Sequence, residues 1–215
     1  MTQENLVWHQ SLVGREQREA ANGHKAAVVW FTGLSASGKS TTAHVVEHEL
    51  FARGHQAYTL DGDNVRHGLS ADLGFSPPDR AEHLRRIAEL TKLMYGAGMI
   101  VLCAFISPTR ESRQRVRELI PEGAFFEIFC KCPIEVCEQR DPKGFYARAL
   151  KGEIKNYTGV SAAYEEPLQP ELVLDTAANP PDICGAIVRK LLQDRKIIPP
   201  VEEMPKGGVS RAKAR

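Results

Sequence analysis

The chain has no apolar run near the roughly 20 residues needed to span a bilayer. Its first residues, Met1-Thr2-Gln3-Glu4-Asn5, lack the basic and apolar regions of a secretion signal. A soluble, cytoplasmic protein with no membrane partner is therefore expected. A charge bias is missing too: 28 Lys and Arg against 27 Asp and Glu leave a net charge of +1. Nothing global draws such a chain to nucleic acid, so no nucleic-acid partner is expected and any anion site must be local. Internal repeats are absent, as is a C-x-x-C pair. The five cysteines, Cys103, Cys130, Cys132, Cys137 and Cys184, are expected to be small buried hydrophobes rather than disulfide or metal partners.

What is present is a phosphate loop in its required setting. Residues 33–42 read Gly33-Leu34-Ser35-Ala36-Ser37-Gly38-Lys39-Ser40-Thr41-Thr42, after the apolar run 26–32 and before a helical pattern carrying Val45, Val46, Leu50 and Phe51. Gly33 and Gly38 allow backbone angles at which successive N–H groups turn inward on phosphate oxygens. The following helix adds its positive dipole end, Lys39 reaches the β- and γ-phosphates, and the Ser40 hydroxyl is a candidate magnesium ligand. ATP with Mg2+ is the expected donor pair. A GTPase would need an Asn-Lys-x-Asp tetrad to read its base, and a motor ATPase an apolar strand ending in Asp-Glu; neither occurs. A compact kinase with a lid fits best.

The remaining pattern places further elements around that loop. Near-continuous apolar runs at 99–105 and 125–130, with shorter ones at 56–60 and 171–174, read as strands, and helical spacing is found over 39–53, 79–97, up to 119, 134–140 and 182–193. The expected fold class is α/β, a P-loop nucleoside triphosphate hydrolase fold with a mostly parallel five-stranded sheet, helices on both faces and a mobile lid. Residues 1–25 are expected to form an N-terminal arm or short helix, 26–198 the kinase domain, and 199–215 a disordered tail. The segment at about 141–166 is basic, glycine-punctuated and too weakly amphipathic for a core element, so it is assigned to the lid. Asp61-Gly62-Asp63-Asn64 and Ile106-Ser107-Pro108 leave the carboxyl ends of strands, on the rim where ligands gather.

Taken together these blocks resemble the adenylylsulfate kinase family, over about residues 7–198. The resemblance is carried by Val7-Trp8-His9, the phosphate loop, Leu60-Asp61-Gly62-Asp63-Asn64-Val65-Arg66, Leu73-Gly74-Phe75-Ser76, Asp79-Arg80, Phe105-Ile106-Ser107-Pro108, Arg140-Asp141-Pro142-Lys143-Gly144 and Tyr157-Thr158-Gly159. It implies transfer of the ATP γ-phosphate to the ribose 3'-hydroxyl of adenylyl sulfate. Such a hydroxyl barely ionises at neutral pH, so a carboxylate positioned to take its proton helps the attack on the γ-phosphate. Asp63 is the first choice and Asp61 the magnesium-shell or orienting residue, the reverse assignment staying open; with Lys39 they form the candidate catalytic set. The same Asp-Gly-Asp-Asn sequence is also good turn chemistry.

The resemblance implies further roles. Arg66 and Arg80 fall at substrate-anion positions, and a planar guanidinium suits sulfate and phosphate oxygens. Phe75 and Tyr157 match a pair of aromatics that sandwich the acceptor base, Tyr157 standing where the family usually has Phe. Ile106, Ser107 and Lys155 are implied in acceptor binding, and Arg140 in packing on the ATP adenine. His83 stands where the family usually has Asn. A homodimer and an association with ATP sulfurylase are the implied partners. Arg85 and Arg86 are open between an anion site and a solvated helix face. The rivals are another small-molecule P-loop kinase, of gluconate or shikimate type, and a catalytically silent nucleotide-binding module.

Overall fold

In a computed structural model, which describes residues 7, 9 and 11–200, five strands form one parallel sheet in the order β2-β3-β1-β4-β5. The strands are β1 (Ala27–Thr32), β2 (Ala57–Asp61), β3 (Ile100–Ala104), β4 (Phe125–Lys131) and β5 (Leu172–Asp175). β1 lies between β3 and β4, with Val29 opposite Leu102 on one side and Phe126 on the other. Every residue of β1 is buried, as expected of a strand covered on both faces.

Alternation along the strands sends side chains into two cores. Val29, Phe31, Leu102 and Ile128 face one side and pack with Val46 and Leu50 of α2 (Lys39–Ala52) and Val188 and Leu192 of α8 (Pro181–Asp194). Val28, Trp30, Val101 and Cys103 face the other and meet Leu84, Ile87 and Tyr95 of α4 (Pro77–Gly96) and Val116 of α5 (Arg110–Arg117). The α/β architecture with helices on both faces is as the sequence pattern implies. A short helix, α1 (Arg15–Asn22), lies against the end of α4, where Arg15 donates to the Tyr95 hydroxyl at 2.5 Å.

The sheet brings β1, β2 and β3 to one rim at their carboxyl ends. Asp61 closes β2 and caps α3 (Gly62–Arg66), a turn of helix absent from the sequence pattern because its five residues hold no apolar period. α4 starts at Pro77, before the position expected from its apolar spacing. Ser76 is its N-cap, accepting from the Asp79 amide at 3.3 Å, and proline is well placed in a first turn where its missing N–H costs nothing.

The 141–166 segment requires a correction. It contains α7 (Phe145–Leu150), which follows α6 (Ile134–Arg140), and it has a small core of its own. Tyr146 is 1% exposed and meets Tyr157 edge-on at 5.1 Å, surrounded by Cys132, Cys137, Ala149, Leu34 and Ile154. The apolar positions come from three separate stretches, so no single window displays the amphipathicity. The assignment of 199–215 to a tail lies, from residue 201 on, outside the described residues, as does Trp8.

Candidate active site

A cavity of about 1420 Å3 opens on the carboxyl rim, between the phosphate loop, the 61–66 turn, the head of α4 and the 141–166 segment, the expected lid. It exceeds the few hundred to 1,000 Å3 typical of a single small ligand, which suits two nucleotides side by side.

On the donor side, Gly33 has φ +147° and Gly38 φ +88°, both in the region that L side chains avoid. A Cβ on Gly33 would lie 2.7 Å from the Cys130 carbonyl and the Ser37 Oγ, so the loop can cross β4 this closely only with glycine. Ala36 joins them with φ +58°, and the segment behind the loop is fixed by Thr176, whose hydroxyl donates to the Ser37 carbonyl at 2.8 Å. Ser35, Ala36, Gly38, Lys39, Ser40 and Thr41 line the cavity. Gly33, Leu34 and Ser37 stand behind it: Gly33 and Ser37 are turned toward the sheet, and Leu34 packs into the lid core. Lys39 is nearly buried and its Nζ donates to the Leu34 carbonyl at 2.5 Å. Burial pushes its ammonium down to about 8, so incoming phosphate charge would favour the protonated form. Arg140 also faces the cavity, its Nη2 donating to the Thr176 carbonyl at 2.7 Å. The adjoining 176–181 segment completes this end of the wall, without a residue type or motif to announce it.

Between the two sides stand the aspartates. Asp61 is buried at the strand end, and its Oδ1 accepts from the Asp63 amide at 2.9 Å. The turn chemistry anticipated for this segment is thus carried by Asp61, while the Asp63 carboxylate is left to the cavity, 62% exposed. Its partner there is the lid residue Lys143, which forms an ion pair with Asp63 Oδ2. Lys155, the lid lysine expected at the acceptor, is exposed and outside the cavity wall, because the chain turns at Asn156 in the left-handed region (φ +56°) and sends it outward. Lys143 had a usable signal: it sits in the Arg-Asp-Pro-Lys-Gly block.

Across the cavity from the phosphate loop, Arg66 donates to the Gly74 carbonyl at 3.0 Å and lies 4.4 Å over the Phe75 ring, which is 64% exposed. Arg80 donates to the carbonyls of Phe75 and Asn156 and to the Thr158 hydroxyl. Neither arginine has a carboxylate within ion-pair distance among the described residues. Arg85 and Arg86 differ: both bind Glu82, and Arg86 also forks onto Asp72 at 2.6 and 2.8 Å, which accounts for them as structural charges. Tyr157 and His83 line the cavity as well. His83 is buried edge-on to Phe105, its Nδ1 without a partner, and burial with Arg66 and Arg86 nearby pushes it down to about 4. It is therefore a neutral imidazole at physiological pH, able to stand in for an amide.

Ile106 and Ser107 also lie in the wall, with Ser107 at φ +40°. The Ser107 hydroxyl, however, is directed into the sheet. It accepts from Trp30 Nε1 at 3.0 Å and donates to Thr32 Oγ1 at 3.1 Å, while Arg113 binds its carbonyl at 2.7 Å. The expectation of a substrate-facing hydroxyl is revised accordingly: a buried indole N–H needs an acceptor, and Ser107 supplies it.

This chain matches the model of the adenylylsulphate kinase family over residues 25–175. The chain belongs to that family. It is 52% identical to an adenylyl-sulfate kinase of Acaryochloris marina over 93% of this chain and 98% of that one. Among solved structures it resembles the APS kinase of Mycobacterium tuberculosis in complex with AMPPNP and APS, with a TM-score of 0.75, 46% identity and coverage of 79% and 99% of the two chains. A hexameric APS kinase from Thiobacillus denitrificans is similar too, with a TM-score of 0.62 and 30% identity over 82% of this chain and 30% of that one. The fold is thus shared with a relative whose structure is a complex with AMPPNP and APS.

Proposed function

We infer that the protein is an adenylyl-sulfate kinase, transferring the γ-phosphate of ATP to the ribose 3'-hydroxyl of adenylyl sulfate to give ADP and 3'-phosphoadenylylsulfate, a step of sulfate activation. The observation that carries the acceptor assignment is one of charge. Arg66, at the end of α3, and Arg80, in the first turn of α4, line the phosphate-loop cavity with no carboxylate within ion-pair distance among the described residues, unlike Arg85 and Arg86. An acceptor bearing a phosphosulfate supplies two anionic groups for them, which a neutral sugar does not; gluconate and shikimate carry a single carboxylate and are set apart by the assay below.

In this reading the phosphate loop and Lys39 hold the ATP phosphates, and Arg140 with the 176–181 segment borders the donor base. Phe75 and Tyr157 enclose the acceptor adenine, and Arg66 and Arg80 hold its anionic end. The ribose 3'-oxygen is then presented near Asp63. As the bond from that oxygen to the γ-phosphorus forms and the bond from the γ-phosphorus to the β,γ-bridging oxygen breaks, Asp63 accepts the hydroxyl proton and ADP leaves with the electron pair. Asp61 orients Asp63 through the amide it accepts. Lys143 must leave Asp63 for the base to be free, or stay as the cation beside the transferring phosphoryl group.

A magnesium ion fits the residues present. The Ser40 hydroxyl and the Asp61 carboxylate supply two oxygens, and among the described residues no cluster of three His, Cys, Asp or Glu side chains forms a closed metal cage. That suits an ion bound by one or two side chains plus phosphate oxygens, and when bound it would neutralise developing charge on the phosphates. Among the described residues no helix is long and apolar enough to cross a membrane. The five cysteines are buried and free, which supports a reducing, cytoplasmic setting. A homodimer and association with ATP sulfurylase belong to the proposal and are open to sedimentation with and without the second enzyme.

The test is ADP release in a coupled assay with magnesium. Turnover that requires adenylyl sulfate is expected. Turnover with gluconate or shikimate in its place, or tight nucleotide binding with no turnover, would overturn the reading.

A further inference from the structure

Arg80 makes an arrangement that its role as an anion ligand does not require. Its Nε donates to the Phe75 carbonyl at 2.9 Å, its Nη1 to the Thr158 hydroxyl at 2.9 Å and its Nη2 to the Asn156 carbonyl at 2.7 Å. One planar group thereby joins two segments about 80 positions apart in the chain. The first segment is the backbone of Phe75. The second consists of the residues immediately before and after Tyr157.

The lid side of this bridge is a turn that needs holding. Asn156 has φ +56° and Gly159 φ +92°, so the chain doubles back on both sides of Tyr157, and the Tyr157 amide is held by the Ser161 hydroxyl at 2.9 Å. A non-glycine residue at positive φ persists where its surroundings impose it. Arg80 is one such restraint, acting on the Asn156 carbonyl. Thr158 is 2% exposed and presents its hydroxyl to the guanidinium from inside the fold, not as a solvent contact. Only arginine can serve all three acceptors at once, because its donors lie in a fixed plane; a lysine offers one mobile point.

We propose that Arg80 is a positioning residue that sets the gap between Phe75 and Tyr157, with Thr158 as its partner on the lid, so that acceptor affinity depends on the Arg80–Thr158 bond as well as on the charge of Arg80. This rests on the reading of adenylyl sulfate as the acceptor and of the two aromatics as its clamp. It explains why the guanidinium nitrogens are directed at neutral oxygens while the charge itself remains uncompensated. The same group fixes the slot and contributes its field to it.

A double-mutant cycle separates this from a purely electrostatic role. The KM values for adenylyl sulfate and for ATP are measured, with melting temperatures, for wild type, Thr158→Val, Thr158→Ser, Arg80→Lys and the Thr158→Val/Arg80→Lys double variant. Thr158→Val keeps the shape and every charge and loses only the hydroxyl. It is expected to raise the KM for adenylyl sulfate roughly three- to tenfold, the span of a single coupled hydrogen bond, with the KM for ATP and the melting temperature unchanged. Thr158→Ser is expected to restore the wild-type value. In the double variant the two effects should not multiply, since Arg80→Lys has already broken the bridge. A wild-type KM in Thr158→Val, full multiplication in the double variant, or a parallel rise in both KM values with a lowered melting temperature would each overturn the proposal. A wild type that fails to turn over adenylyl sulfate at all would instead overturn the acceptor reading, and this proposal with it.

Discussion

The donor side of the cavity is backbone wound around Gly33 and Gly38 with a buried lysine behind it, whereas the acceptor side is built of side chains reaching in from a loop, a helix and the lid. The first is pre-formed. Its shape is set by positive φ angles, by the Thr176 bond to Ser37 and by the close approach to Cys130, none of which needs a ligand. The second is held by side-chain hydrogen bonds and ion pairs, such as Arg80 to Thr158 and Lys143 to Asp63. Phosphate is common to every nucleotide and can be held by main-chain amides. An acceptor must be told from similar molecules, which takes side chains of particular shape and charge.

Lys39→Ala removes the cation proposed to hold the ATP phosphates, and a loss of kcat of at least about 100-fold is expected in steady-state assays, as for other single electrostatic stabilisers. If the donor side is truly fixed by backbone shape, Gly33→Ala should damage the fold itself. Its Cβ meets two atoms at 2.7 Å in a φ that alanine avoids, and a loss of about 2 kcal/mol or more is expected in thermal or denaturant unfolding.

Phe75→Ala probes the opposite wall of the cavity. The ring is exposed and braces no core, so stability should be unchanged, while the KM for adenylyl sulfate rises about tenfold, the value of one stacked base, with the KM for ATP unaffected. The smallest effect at neutral pH is expected at His83. Because burial holds it near 4, against an ordinary value near 6.5, it is neutral in both folded and unfolded chains above about pH 7. His83→Asn should then leave the KM for adenylyl sulfate unchanged or lower it, and leave the activity profile between pH 6.5 and 8 as it was. Between pH 6.5 and 4 only the unfolded chain takes up the proton readily, so stability falls as pH falls, by on the order of 1–2 kcal/mol at pH 5 from this residue. His55, also near 4, adds to the same loss. Unfolding curves at pH 5 and 7 for wild type and His83→Asn check the sign: the variant should lose less on acidification.

The two sides were not equally legible in the sequence. The phosphate loop is a contiguous motif between a strand and a helix, so its position and partners follow from the chain alone. Asp61 and Asp63 were readable as a strand-end pair, but which one caps the turn required the backbone: Asp61 accepts the Asp63 amide. Arg66 and Arg85 look alike in a sequence and differ only in whether a glutamate lies across from them, as Glu82 does for Arg85. The Ser107 hydroxyl was misplaced because Trp30, the group that needs it, is 77 positions away. The core of the lid was hidden for the same reason, Tyr146 being buried by Leu34, Cys137 and Tyr157 from three parts of the chain.

In the proposed mechanism the loop holds the donor while a separate carboxylate, Asp63, prepares the acceptor. That division is tested most directly by single-turnover rapid quench with saturating ATP, magnesium and adenylyl sulfate, following 3'-phosphorylated product in wild type and Asp63→Asn. The expected result is a chemical step slowed by roughly 100-fold or more in Asp63→Asn, the scale of a lost general base, with ATP affinity unchanged and phosphate found on the ribose 3'-oxygen in wild type. A wild-type rate in Asp63→Asn, or phosphate carried to another position, would contradict it.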